Sequence, residues 1–238
     1  ALIVRLHRSI LTTTAKSDKS VAIDFRLRRS NARRMKLPYP PQDLLACRHC
    51  PRLRHYLAKL RVQYPDYWNL PVPAYGELDS PLLIIGLAPG LHGANKSGIP
   101  FVGDASGDML NRVLTQLSAA SMVRISNAVK CLPLNNSPSS REINNCQKFL
   151  KPEINVHFEH TNKRAILALG GVAHRAVLKA LDLKPRDYAF SHGNIHQLAE
   201  GQWLIDSYHC SRYNTQTGRL TEAMFIDAVQ SAIDCVRG

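Results

Sequence analysis

Residues 81–107, "PLLIIGLAPGLHGANKSGIPFVGDASG", decide the fold. The apolar run at its start is too short for a buried helix and reads as a strand covered on both faces. Apolar residues at Met109, Leu110, Val113, Leu114 and Leu117 then take up a helical period. A buried strand that empties through a loop into a helix is the repeating unit of a parallel sheet. The loop lacks the G-x-x-x-x-G-K-[ST] spacing of a phosphate loop and the G-x-G-x-x-G of a dinucleotide site. It offers backbone N–H groups that a ligand can approach closely, because few side chains stand in the way. Phe101 reads as a face for a flat ligand or as a core residue. Asp104 reads as a catalytic carboxylate or as the cap of the helix beginning near Ala105, and capping is the simpler reading.

The same alternation continues outward. "MVRISNAVKC" (122–131), "RAILALG" (164–170) and "QWLIDSYH" (202–209) read as further strands, each followed by a helical pattern. The expected architecture is α/β: three layers, α/β/α, around a central, mainly parallel four-stranded sheet. Ligands in such sheets bind beyond the carboxyl ends of the strands. Three unusual stretches, 86–107, 127–136 and 209–214, each follow a strand, which argues for an enzyme. Asn127 places an amide donor and acceptor side by side at one strand end, a match for a base edge. His209 at another can donate to developing negative charge. Ser211, Arg212, Tyr213 and Asn214 after it suit contacts to phosphates.

The chain has 238 residues and a net charge of +13. Ten of its 31 Lys/Arg and two of its 18 acids fall in residues 1–36, so that segment carries +8 and the remainder +5. The two parts are expected to be a basic, flexible arm over 1–36 and one folded domain over 37–238. The excess favours polyanions, nucleic acid first among them, with a solubilising surface as the alternative. The arm's Arg-rich, acid-poor composition also suits an organellar transit peptide or a start site placed upstream of Met35. No run of about 18 apolar residues occurs, so no helix is expected to cross a membrane. The expected setting is the cytoplasm of a prokaryote, with organellar import as the alternative, and the expected state is a monomer.

Six cysteines stand at 47, 50, 131, 146, 210 and 235. Without a secretory signal, thiols or a metal site fit better than disulfides. Cys47-x-x-Cys50 lies in a short N-terminal helical region, Cys131 after the second strand and Cys146 on the helix that follows. Four thiolates can hold a tetrahedral zinc ion or an iron–sulfur cluster, here as a staple away from the strand ends.

"GLAPGLHGANKSGIPFVGDASG", "NAVKC" and "SYHCSRYNTQTGRLT" together resemble the uracil-DNA glycosylase superfamily, and within it the family 5 (type B) iron–sulfur enzymes. The likeness runs from about residue 40 to the C-terminus. It implies that Cys47, Cys50, Cys131 and Cys146 hold a [4Fe–4S] cluster. It further implies hydrolytic excision of uracil, hypoxanthine and xanthine from double- or single-stranded DNA, leaving an abasic site. By the same resemblance, backbone N–H groups at Gly86, Leu87 and Ala88 hold the base oxygens, Phe101 stacks on the ring and Asn127 reads the polar edge. His209 then stabilises the leaving base, and Asp104 positions water or stabilises the sugar cation. Relatives place an acid or Asn just after the first strand, where this chain has Leu87 and Ala88. It departs again at Cys210, where Pro is usual, and at Tyr213, where Gln is common. The alternative expectation is a binder of damaged nucleic acid with the same fold and no activity.

Overall fold

The computed structural model describes residues 41–159 and 163–237. The N-terminal segment expected to be a basic arm, 1–36, lies outside the described residues. In chain order the elements are α1 (Pro41–Leu45), α2 (Pro51–Gln63), β1 (Leu82–Gly86), α3 (Ala94–Ser97), α4 (Ala105–Gln116) and β2 (Val123–Asn127). These are followed by α5 (Ser140–Phe158), β3 (Arg164–Leu169), α6 (Gly171–Ala180), β4 (Ile195–Ala199), β5 (Gln202–Ser207), α7 (Arg212–Gln216) and α8 (Glu222–Arg237).

The strands form one sheet in the order β2-β1-β3-β5-β4, parallel except for β4, which runs antiparallel to β5. The sheet therefore has five strands rather than the four expected. The extra strand, "IHQLA", alternates exposed and half-buried positions instead of forming an apolar run, which is why its signal in sequence is weak. Every other strand is buried along its length or nearly so. That is the pattern of strands covered on both faces.

Strand periodicity of two divides the core into two layers. Leu82 and Ile84 of β1 face one way and pack with Leu110, Val113 and Leu114 of α4 and with Phe225 and Val229 of α8. Leu83 and Ile85 face the other way, against Leu150 and Ile154 of α5 and Ala173 and Val177 of α6. The three-layer α/β/α arrangement follows.

Beyond β2 the chain stays attached to its neighbours. Ala128 N–H donates to Gly86 C=O and Val129 N–H to Leu87 C=O, both at 2.9 Å. On the far side of β2, Tyr75 and Ile125 exchange two backbone hydrogen bonds, at 2.9 and 2.7 Å, in an isolated antiparallel bridge. Two buried polar knots lie on the α5/α6 side of the sheet. Lys130 is fully enclosed and bonds Glu153 at 2.6 Å and Ser126 at 2.5 Å. His174 and His196 both contact Asp206.

Candidate active site and cysteine site

The chain reverses its order of travel at β1: β2 lies on one side of it and β3 on the other. A crevice opens at such a point, outside the carboxyl ends of the strands. Here it is a cavity of about 400 Å³ whose wall receives residues from the ends of β1, β2, β3 and β5. Leu87, Ala88, Phe101, Asp104, Asn127, His209 and Ser211 all line it. The three stretches singled out in the sequence thus meet in one place.

Gly86 is what allows them to meet. A Cβ there would lie 2.5 Å from Asn127 Oδ1 and 2.7 Å from the Phe101 ring. Because Gly86 and Asn127 are register partners across β1 and β2, the amide sits beside the glycine by construction of the sheet. Phe101 is held at φ +56°, uncommon for a bulky residue. Its backbone is clasped by the first turn of α4, where a Cβ on Gly107 would stand 2.1 Å from Phe101 O. The Phe101 ring faces His209 with centroids 5.9 Å apart and planes 29° from parallel.

Asp104 resolves the choice between cap and site residue by doing two things at once. Its Oδ1 accepts from Gly107 N–H at 3.0 Å and caps α4. Its Oδ2 lies over Gly90 and Gly93, where a Cβ would stand 3.0 and 2.1 Å away. The two glycines leave the room that this oxygen occupies in the cavity wall.

His209 has its Nδ1 buried with no hydrogen-bond partner among the described residues. Burial pushes the imidazole below its ordinary pKa, and the nearby Asp104 charge offsets part of that. The ring is therefore neutral near pH 7, and His209 contributes to the cavity wall. The residues after His209 divide by role. Asn214 turns inward and donates to His209 C=O at 2.8 Å, and Ser211 caps α7. Arg212 and Tyr213 are exposed, Tyr213 at 71%. Cys210 is buried under this loop, its thiol donating to Ser106 C=O at 3.4 Å. Burial pushes that thiol up to about 12, so it packs as a small apolar group.

Sequence reasoning missed the contribution of β3. Gly170, Gly171 and Val172 line the cavity. The Gly-Gly after "RAILAL" was the available signal, because it too marks a strand's carboxyl end.

The cysteines 47, 50, 131 and 146 line a separate small cavity. Cys47 and Cys50 sit between α1 and α2, with Cys50 at the start of α2. Arg52 grips Glu142 with two hydrogen bonds, at 2.8 and 2.6 Å, and fixes α2 against the first turn of α5, which carries Cys146. Asn145 donates to Cys50 Sγ at 3.4 Å, and the Lys130 backbone N–H points at Cys146. Burial, reinforced by the other sulfurs, pushes Cys131 far above the ordinary thiol range, and burial pushes Cys146 up to about 11. Such a quartet ionises only with a positive group among its sulfurs.

The sulfurs stand apart from one another. Among the described residues, one set of three donors has all its atoms within 4.8 Å of one another, and it contains no cysteine. A tetrahedral zinc ion 2.3 Å from each sulfur would draw the sulfurs to about 3.8 Å apart. No three of the four sulfurs come within 4.8 Å of one another, so a single zinc ion would have to draw them together.

The family model described as "Uracil DNA glycosylase superfamily" matches residues 73–232. The chain is also similar to proteins named Type-5 uracil-DNA glycosylase. The one from Thermus thermophilus is 37% identical, over 80% of this chain and 94% of the relative. That from Pyrobaculum aerophilum is 36% identical, over 79% and 88%. That from Mycobacterium leprae is 37% identical, over 82% and 94%.

Proposed function

We propose, on the premise that this chain belongs to the uracil DNA glycosylase superfamily, that it excises uracil and other deaminated bases from DNA by hydrolysing the N-glycosidic bond. The observation that carries the reading is the cavity at the strand ends. It joins an aromatic face, an amide, a neutral imidazole and a carboxylate.

A base in duplex DNA must leave the stack to reach such a cavity. Phe101 would take the flipped base on its face, and Asn127 would pair with its polar edge. Backbone N–H groups of Gly86, Leu87 and Ala88 would hold its oxygens. Cleavage leaves an anionic base and a sugar with oxocarbenium character. His209, neutral through burial, would donate to the base oxygen on which charge builds up, an interaction worth about 3 kcal/mol. The Oδ2 of Asp104 would face the sugar and either position the attacking water or stabilise the cation. Capping α4 holds that carboxylate in one rotamer. Arg212 and Tyr213, exposed beside the cavity mouth, would meet the DNA backbone and the gap left by the base. Leu87 and Ala88 bring no polar side chain, and a wall with few fixed polar groups rejects alternatives less strictly. Hypoxanthine and xanthine are therefore included as substrates.

Cys47, Cys50, Cys131 and Cys146 would hold a [4Fe–4S] cluster. Bound there, it would cross-link the α1/α2 region to the sheet, remote from the cleaved bond.

The test is incubation of anaerobically purified, cluster-loaded protein with duplexes bearing uracil, hypoxanthine or xanthine, followed by alkali. Strand scission at the lesion is expected for all three. No scission at uracil would refute the reading, and scission at uracil alone would refute the broad specificity. Iron and acid-labile sulfide in equal amounts, lost together on replacing Cys131 or Cys146 by Ala, are expected of the cluster.

A further inference from the structure

We propose that His174, His196 and Asp206 form a separate metal site that takes one divalent cation of the zinc type. The three come from α6, β4 and β5, and neither the strand-end cavity nor the cysteine cavity includes them. Among the described residues they are the one set of three such donors within 4.8 Å of one another. His174 Nδ1 lies 2.7 Å from Asp206 Oδ1, and His196 Nε2 lies 3.1 Å from Asp206 Oδ2.

The hydrogen-bond roles leave a cation to be supplied. His174 Nε2 lies 2.9 Å from Tyr188 C=O. A carbonyl only accepts, so that nitrogen carries the proton. The neutral ring then turns the lone pair of Nδ1 toward a carboxylate that also only accepts. A positive species must lie between the two. One proton on Nδ1 would let His174 donate to Oδ1 and His196 to Oδ2, whereas a divalent ion would bind all three groups at once.

The surroundings agree. A backbone carbonyl on the far nitrogen of His174 fixes tautomer and ring angle as it does for metal-bound histidines. Ligands about 2.0 Å from a tetrahedral ion stand about 3.3 Å apart. The observed distances, 2.7 Å from His174 to Oδ1 and 3.1 Å from His196 to Oδ2, end on different oxygens of Asp206, so an ion would open each contact by about 0.6 and 0.2 Å and settle against the carboxylate between the two rings. Asp206 and His174 are enclosed, while His196 keeps 13% of its side chain exposed, which gives an ion a way in. Two imidazoles and one carboxylate leave a fourth position for water. An ion here would tie β5, three residues before His209, to α6, whose first residues line the cavity.

The experiment equilibrates cluster-loaded protein with zinc sulfate, removes free metal, and measures zinc and iron in the same sample. About one zinc per chain is expected in the parent. His196→Gln, on the one partly exposed side chain of the three, and Asp206→Asn should each lose it with iron unchanged. Zinc should also raise the melting temperature of the parent and not that of His196→Gln. Background zinc in a parent with full iron would overturn the proposal and leave a proton between His174 and Asp206. Equal zinc in parent and variants would overturn it as well.

Discussion

Gly86→Ala adds a single methyl group and tests the seat proposed for the base. Gly86 lies in β1 with ordinary extended backbone, so alanine brings no backbone strain. The whole effect is contact. The new carbon would lie 2.5 Å from Asn127 Oδ1 and 2.7 and 2.8 Å from Phe101 Cε2 and Cζ, against an ordinary limit of 3.4 Å. Asn127 and Phe101 must therefore retreat by about 0.6 to 0.9 Å. Both are buried, and the space open to them is the cavity itself. Overpacking of this kind costs about 1–3 kcal/mol. In a domain of this size each kcal/mol lowers the melting temperature by roughly 2–4 °C. Displacement by about 1 Å in a reacting geometry costs about 100-fold in rate. The assay is single-turnover excision of uracil with protein in excess, beside a melting curve and a binding titration on undamaged duplex. A slowing of about 100-fold, with modest loss of stability and unchanged binding to undamaged DNA, is expected. A protein that had lost its fold would instead lose excision and DNA binding together. Excision at the parent rate by a well-folded variant would refute the seat formed by Asn127 and Phe101.

Three other outcomes are expected. Asp104→Ala should remove the cap, costing about 1 kcal/mol, as well as activity. Asp104→Asn should keep the cap in thermal melts and still lose activity, and retained activity would reduce Asp104 to a cap. Lys130→Met strands Glu153 in the interior and should cost about 3–5 kcal/mol in denaturant unfolding, most of it recovered in Lys130→Met/Glu153→Leu. Burial pushes His209 and His192 below their ordinary pKa. The unfolded chain then binds more protons than the fold below about pH 6.5, so stability should be level above pH 7 and fall as pH drops through that window. Melting curves from pH 5 to 8 read the slope, which replacing both histidines by Gln should flatten.

The sequence exposed the parts of this molecule that obey a period. The four parallel strands are short segments buried on both faces, LLIIG the most apolar of them, and α4 announces itself by its spacing and by the cap Asp104. The site residues were visible because they follow strands. What escaped was set by tertiary pairing. Strand β4 has an alternating, half-exposed pattern that gains meaning only beside β5. The Lys130–Glu153 pair joins residues 23 apart, and His174 meets Asp206 across 32. No local signal in the sequence marks such partners. The double role of Asp104 was hidden for another reason: the helix cap and the cavity wall use different oxygens of one carboxylate.

The flanks of the sheet have a consequence for life in a crowded solution. A parallel sheet ends in rows of unpaired N–H and C=O groups that can recruit another chain. On the β2 flank the Tyr75 bridge occupies Ile125, midway along the strand. On the other flank β4 is short, runs against its neighbour and breaks step between Gln197 and Ala199. The irregularity interrupts the regular edge beside Ile195, which is 51% exposed. Each border thus carries a device that interrupts its row of backbone groups, a bridge on one side and a bulge on the other.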